Sequence, residues 1–342
     1  MARGMTEGIR TFEALTCPLD GSVGAVRYSG LQDRFFSVPG HWTLAGCSQC
    51  GLMWLNPRPI PEDIGKLYEH YFTHDSVEEQ LGPPRFRGAV RDAALGYDRI
   101  VKGAFPKLLG KIAFAVRPIR DLMLLSVMTL PGPRGKKLLD VGCGNGSFLA
   151  KMQRLGWDVV GVEPDRKAAG IARERFGLEV HVGDLTEAGF PDHIFDALTL
   201  SHVLEHVPDP VRTLHECGRL LKPGGKLVVV TPNWDSLGHR ALARAWPHLD
   251  PPRHLHLFSM HTVRLVIEQT GLEVLRSWTS ARLAAWTWIA GRQIRRTGHM
   301  PGGSLSGIGR LVRLEGMVFR IVEDALCSVA DMGEEIVVEA KA

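Results

Sequence analysis

One short stretch holds the residue types that a small cationic ligand would need: Asp140-Val-Gly142-Cys143-Gly144-Asn-Gly146. Glycines at alternate positions let the backbone turn sharply and approach a ligand with no side chain in between. The carboxylate that opens the loop would repel a pyrophosphate, and the dinucleotide fingerprint fails too, because its third glycine falls at Ser147. A second apolar run closes on Glu163, where a carboxylate can accept both hydroxyls of a ribose diol. A third ends at Gly183-Asp184, placed to meet an adenine amino group. A fourth ends Ser201-His202-Val-Leu-Glu205-His206, and Lys222-Pro-Gly-Gly225 is a helix stop before the fifth.

Two further groups could do chemistry. Cys47-Ser-Gln-Cys50-Gly51 is a knuckle with two thiols one turn apart, and Cys17-Pro-Leu-Asp20-Gly21 has the same shape with a carboxylate in second place. Two such knuckles about thirty residues apart can clasp a tetrahedral zinc through Cys17, Asp20, Cys47 and Cys50. His41 is the other candidate for the fourth place, and a knuckle that has lost its metal is the alternative. A closed shell of four ligands makes such a zinc structural. In Asp250-Pro-Pro-Arg253-His254-Leu-His256, the two histidines are two apart and face the same way in an extended segment. His254 is the candidate base, assisted by Arg253 or His256, against a structural role as a histidine bonding backbone. His248 and His239 are weaker candidates, and His206 reads as structural. Cys143 reads as a small packing residue.

The elements that must position these groups follow from pattern. Apolar runs alternate with helical segments expected at Ser147–Leu155, Asp165–Phe176, Pro210–Leu221 and Met260–Thr270, which indicates βαβ units and a mainly parallel sheet. LEVLRSWT and the final EEIVVEAKA complete seven strands. Residues 11–60 are rich in Gly, Pro and Cys and read as a small loop-rich, zinc-knuckle-like module. Residues 61–134 read as a basic helical linker or cap, with a helix opening at Pro61 and breaks or kinks at Pro106 and Pro118. Residues 135–280 form the core, with a loop-rich insertion after Asn233; 281–330 are an amphipathic helical insertion and 331–342 the last strand.

Over residues 136–279 the five strand-end elements, in this order and spacing, resemble the class I S-adenosylmethionine-dependent methyltransferases, particularly those with small-molecule acceptors. The resemblance implies an α/β, Rossmann-like seven-stranded sheet with helices on both faces. It implies that Asp140, Gly142, Cys143, Gly144 and Gly146 lie near the methionine part of S-adenosylmethionine. Glu163 would bind the ribose, Asp184 with the Leu185 backbone would read adenine, and Ser201 and His202 would line the floor below the sulfonium. The CxxC module and the following Gly51-Leu-Met-Trp-Leu-Asn-Pro-Arg58-Pro59 are also found in this group. So is the Arg-His-Leu-x-x-Phe run, whose first histidine most often faces the substrate.

Composition bounds the alternatives. At 342 residues, 44% hydrophobic and 23% charged, the chain reads as globular with about two domains. The N-terminus lacks a secretory apolar core and no spanning segment is evident, so a cytoplasmic protein is expected. Residues 85–134 carry 10 basic and 3 acidic side chains, and residues 281–330 carry 7 and 3. These segments fit a helical cap, a dimer surface or contact with an anionic membrane, and a lipid- or sugar-linked acceptor is one expectation. The oligomeric state is left open. Ser201-His202-Val-Leu stands where methyltransferases of nucleic-acid amines need Asn-Pro-Pro-aromatic, which argues against a nucleic-acid acceptor. The leading expectation is O-methylation of a small molecule. A zinc-containing RNA methyltransferase and a non-catalytic binder of S-adenosylmethionine are the alternatives.

Overall fold

Alternation of short apolar runs and amphipathic helices closes into a seven-stranded sheet in the computed structural model, which describes residues 3–6, 8–68, 86–97, 104–130, 132, 135–327 and 329–342. The first strands are β1 (Arg3–Thr6), β2 (Ile9–Phe12), β3 (Ala25–Leu31), β4 (Trp42–Gly46), β5 (Met53–Leu55) and β6 (Arg58–Pro59). Helices α1 (Pro61–Ile64), α2 (Phe86–Ala94), α3 (Ala104–Ala115) and α4 (Arg117–Leu125) follow. Then come β7 (Lys137–Val141), α5 (Ser147–Arg154), β8 (Asp158–Glu163), α6 (Arg166–Phe176), β9 (Glu179–Val182) and β10 (Phe195–Ser201). The chain continues with α7 (Pro210–Leu220), β11 (Leu221–Pro232), α8 (Leu237–Leu242), β12 (His256–Leu257), α9 (Met260–Gln269) and β13 (Glu273–Ser280). It ends with α10 (Ala284–Thr297), α11 (Arg310–Leu326) and β14 (Glu335–Lys341).

The large sheet has the order β13-β14-β11-β10-β7-β8-β9, so the last strand in sequence inserts between β11 and β13. β10, β7, β8 and β9 pair in parallel, as βαβ units require. The α/β class read from the sequence is therefore the fold, and the four expected core helices form within a residue of their expected ends. The break near Pro118 falls at Val116, which leaves the proline in the first turn of α4 where its missing N–H costs nothing. Pro106 lies in the first turn of α3 and does not divide it. The rest of the helical stretch expected after Pro61, over 69–85 and 98–103, lies outside the described residues.

Two contact units divide the chain. One comprises Met1–Phe72, His202–Gly218 and Val229–Ala340; the other comprises Thr73–Ser201, Arg219–Val228 and Lys341–Ala342. In the first unit the stretch expected to be loop-rich holds β3 to β6. A sheet of order β12-β5-β4-β3 draws its edge strand from two hundred residues downstream, with His256 opposite Trp54 and Leu257 opposite Met53. Trp42, Leu44, Leu55, Trp246, Leu257 and Ile294 pack together in its core. In the second unit α5 starts directly after Gly146, whose φ is +78°. A Cβ there would stand 2.7 Å from Ala172 and Leu178, so that position excludes a side chain on two counts. Gly146→Ala is expected to destabilise the chain by about 2 kcal/mol or more, read as a fall in the urea midpoint.

Candidate functional site

In the second unit, the turn after β7 is held by backbone and carboxylate together. Gly142 and Cys143 donate their N–H groups to the Val162 carbonyl at 2.8 and 3.1 Å. Gly144, at φ +55°, donates to Glu163 Oε2 at 2.7 Å, and Asp165 donates to Glu163 Oε1 at 2.9 Å. One buried carboxylate therefore joins the ends of β7 and β8. Asp140 is also buried and accepts from Thr199 Oγ1 at 2.6 Å. Burial pushes its pKa up to about 7, with the nearby Glu163 charge adding to the rise and the Thr199 hydroxyl opposing it. A carboxylate held this way gains from a neighbouring cation. Cys143 packs over Gly161, where a Cβ would lie 2.6 Å from its sulfur. Leu185 is buried, and Asp184 is exposed with Oδ1 accepting from Thr186 N, Thr186 Oγ1 and Glu187 N. Ser201 closes β10.

The first unit holds a chain of buried charge. His202, with φ +55°, places Nε2 2.9 Å from Glu335 Oε1 and Nδ1 3.3 Å from Glu205 Oε1. Burial alone would lower this histidine, but the two carboxylates win and raise it to about 9. Burial would likewise raise Glu205, yet the hydrogen bond and charge of His202 bring it down to about 2. Arg282 pairs with Glu335, and Thr231 Oγ1 donates to Glu205 Oε2 at 2.8 Å. His206 is pushed down to about 4, by burial first and His254 second; its Nδ1 lies 3.0 Å from the Arg253 carbonyl and 2.9 Å from the Tyr68 hydroxyl.

The candidate base segment is tied down at each residue. Arg253 is fully buried, donating to both carboxylate oxygens of Asp33 at 2.7 and 2.8 Å and to Asp250 Oδ2 at 3.0 Å, with Phe36 under its guanidinium. The backbone amides of Leu255 and His256 donate to the Glu205 carbonyl. His254 precedes β12 rather than lying in it; its Nδ1 is 2.7 Å from the His248 carbonyl and its Nε2 is 3.9 Å from Asp250 Oδ2. His256 contacts Arg58 through Nε2, and burial followed by that guanidinium pushes it well below the usual histidine range. The two histidines thus meet different partners: His206 and Asp250 for the first, Arg58 for the second. His239 bonds the Tyr28 hydroxyl and His248 the Thr287 hydroxyl. Sequence reasoning did not assign Asp33, Asp250, Glu205, Glu335 or Arg282. Only the paired acidic residues that open a buried last strand, Glu334 and Glu335, were a signal for any of them.

The knuckles do converge. Cys17, Asp20, Cys47 and Cys50 present ligand atoms that all lie within 4.8 Å of one another, and His41 is not in this group. Cys17 and Cys50 sulfurs are 3.5 Å apart, and Cys47 Sγ is 3.1 Å from Asp20 Oδ2. Amides of Leu19, Gln49 and Cys50 point at sulfur, as they do around bound thiolates. Three sulfurs and one oxygen at this spacing fit a tetrahedral zinc. Thr262 Oγ1 donates to the Cys50 carbonyl, which links the knuckle to the start of α9.

A family model described as a methyltransferase domain matches residues 114–277. The chain is 36% identical over 129 residues to a ubiquinone biosynthesis O-methyltransferase of Alkalilimnicola ehrlichii, covering 34% of this chain and 51% of that protein. It is 42% identical over 109 residues to the protein of the same description in Azoarcus sp., covering 30% and 46%. The chain spans about half the length of these curated relatives. A crystal structure of a SAM-dependent methyltransferase from Archaeoglobus fulgidus is 19% identical, covers 70% of this chain and all of the other, and has a TM-score of 0.44.

Two outcomes follow. Elemental analysis of the protein purified without chelator is expected to find one zinc per chain, lost in Cys50→Ser; a metal-free chain would refute the ligand set. His202 has a folded pKa above its ordinary 6.5, so the stability it adds is complete below that value and disappears as pH rises through about 9. His202→Asn should therefore flatten the fall in urea stability between pH 6.5 and 9, as measured by denaturation at stepped pH.

Proposed function

We propose, on the premise that residues 114–277 belong to the class I S-adenosylmethionine-dependent methyltransferases, that this chain methylates a hydroxyl of a small-molecule acceptor. The observation that carries the reading is Glu163 bridging Gly144 and Asp165 at the mouth of a positive-φ glycine turn, beside a buried Asp140. Such a turn presents open backbone and two carboxylates to a ligand that is cationic at one end and a diol at the other. Glu163 would hold the ribose hydroxyls, Asp140 and the loop the methionine ammonium, and Asp184 with Leu185 the adenine. S-adenosylmethionine supplies the methyl group as a carbon electrophile. The oxygen acceptor is supported by the relatives, which are described as O-methyltransferases of ubiquinone biosynthesis.

His254 is the proposed base. Its Nδ1–H is committed to the His248 carbonyl, which leaves the Nε2 lone pair to take the acceptor's proton as the oxygen–carbon bond forms and the carbon–sulfur bond breaks. Asp250, near Nε2, would stabilise the imidazolium. Arg253 and His256 act through position: the first fixes the loop to Asp33 and the second anchors it against Arg58. The segments 11–60, 61–134, 135–280, 281–330 and 331–342 are proposed as knuckle module, helical cap, catalytic core, helical insertion and final strand. The zinc of the knuckle is proposed as structural.

Calorimetry with S-adenosylhomocysteine tests the pocket. Glu163→Ala should weaken binding by about 1.5–3 kcal/mol, the worth of hydrogen bonds to a charged group. His254→Ala should leave that affinity unchanged while turnover falls roughly 10²–10⁴-fold. Unaltered turnover would remove the histidine base and leave the pocket reading intact.

A further inference from the structure

The helical segment of the second unit turns apolar side chains outward. α3 packs on α2 through Gly110, where a Cβ would stand 2.7 Å from the Val90 carbonyl, so this face of α3 is fixed inward. The opposite face is therefore committed to solvent. Leu108 and Ile112 on α3, Val116 at the junction, and Ile119 and Leu122 on α4 are 39–59% exposed. Monomeric soluble proteins rarely leave such a run of large apolar residues uncovered.

Charge says what covers it. Lys111 on α3 and Arg117 and Arg120 on α4 accompany these residues, and Asp121 is the single acidic residue of the two helices. Asp121 sits 3.6 Å from both arginines, one negative charge beside two positive ones. In sequence, residues 85–134 carry 10 basic and 3 acidic side chains. A second copy of this chain would bring the same positive charge against it and be repelled. α11 also exposes Leu311, Leu314, Val318 and Ile321, but its excess of positive charge is smaller: Arg320 pairs with Asp324, Glu315 pairs with Arg292 of α10, and Glu323 is buried. An apolar stripe within a net positive field fits the boundary between acyl chains and anionic headgroups. No helix among the described residues is long and apolar enough to cross a membrane, so the contact is made from one side.

We propose that the α3–α4 surface docks on an anionic lipid bilayer, with Leu108, Ile112, Val116, Ile119 and Leu122 entering the interface and Lys111, Arg117 and Arg120 meeting the headgroups. This surface is independent of the methyl-transfer reading, and its test involves no turnover. The full chain is floated with vesicles of phosphatidylcholine alone or of phosphatidylcholine with phosphatidylglycerol. It should rise with the anionic vesicles at low salt, stay behind with the neutral ones, and be released by added salt.

Lys111→Gln with Arg120→Gln should weaken vesicle binding roughly thirtyfold, from about fivefold for each basic residue near the surface. Leu108→Ser with Ile112→Ser should also reduce it, and Ile321→Ser on α11 should not. Circular dichroism confirms that each variant is folded. No flotation with anionic vesicles, equal flotation with neutral ones, or flotation unchanged in both α3–α4 variants would each overturn the proposal. So would a dimer in sedimentation that the Leu108→Ser, Ile112→Ser pair dissociates, because it would show a second copy covering this face.

Discussion

A buried carboxylate must find hydrogen bonds, and Glu163 finds them in two backbone amides that belong to different turns. Gly144 lies past the end of β7 and Asp165 past the end of β8, so one side chain fixes two loops at the carboxyl edge of the parallel sheet. The glycines supply the conformations that this closure needs, and Gly146 passes the chain directly into α5. Everything proposed for the nucleoside pocket depends on this arrangement. Burial is the main cause that raises the Asp140 pKa, and the Glu163 charge held nearby adds to it.

A second buried charge organises the histidine segment. Arg253 is surrounded by Asp33 and Asp250, whose remaining oxygen bonds reach the Phe35 and Val38 amides and the loop itself. Taking a guanidinium out of water is costly unless its donors are met, and here two carboxylates meet them. The result is a loop whose geometry is set by the N-terminal strands: β12 pairs with β5, and Cys50 receives Thr262 from the start of α9. A knuckle that holds zinc would stiffen the same strands. The proposed metal and the proposed base would thereby be connected through structure rather than chemistry.

The core was legible because its signals are local. The parallel strands β7, β8 and β10 each hold a short apolar run, the core helices have a breaker or cap within a residue or two, and the glycine turn stands at a strand end. Asp165 caps α6 and Ser259 caps α9 with side-chain oxygens, as their positions before apolar-periodic segments suggest. The N-terminal strands were not legible. β5 is buried on every residue and β4 on all but one, so neither alternates, and their edge partner is supplied by His256 and Leu257 far away in sequence. Pairings of that kind leave no periodic trace. The same holds for the partners of His202 and Arg253: Glu335 and Asp33 are more than a hundred residues from the groups they neutralise, and only the acidic pair Glu334-Glu335 beside a buried strand hints at one of them. The four metal candidates were legible because knuckle spacing is itself the geometry, and the structure brings those four together.

The most direct test of the account is a crystal structure of the chain soaked with S-adenosylhomocysteine. The account predicts ribose hydroxyls on the Glu163 carboxylate and the amino-acid tail along Gly142–Gly146 beside Asp140. A soak that leaves the loop empty, while NADH or ATP places a phosphate there, would contradict it.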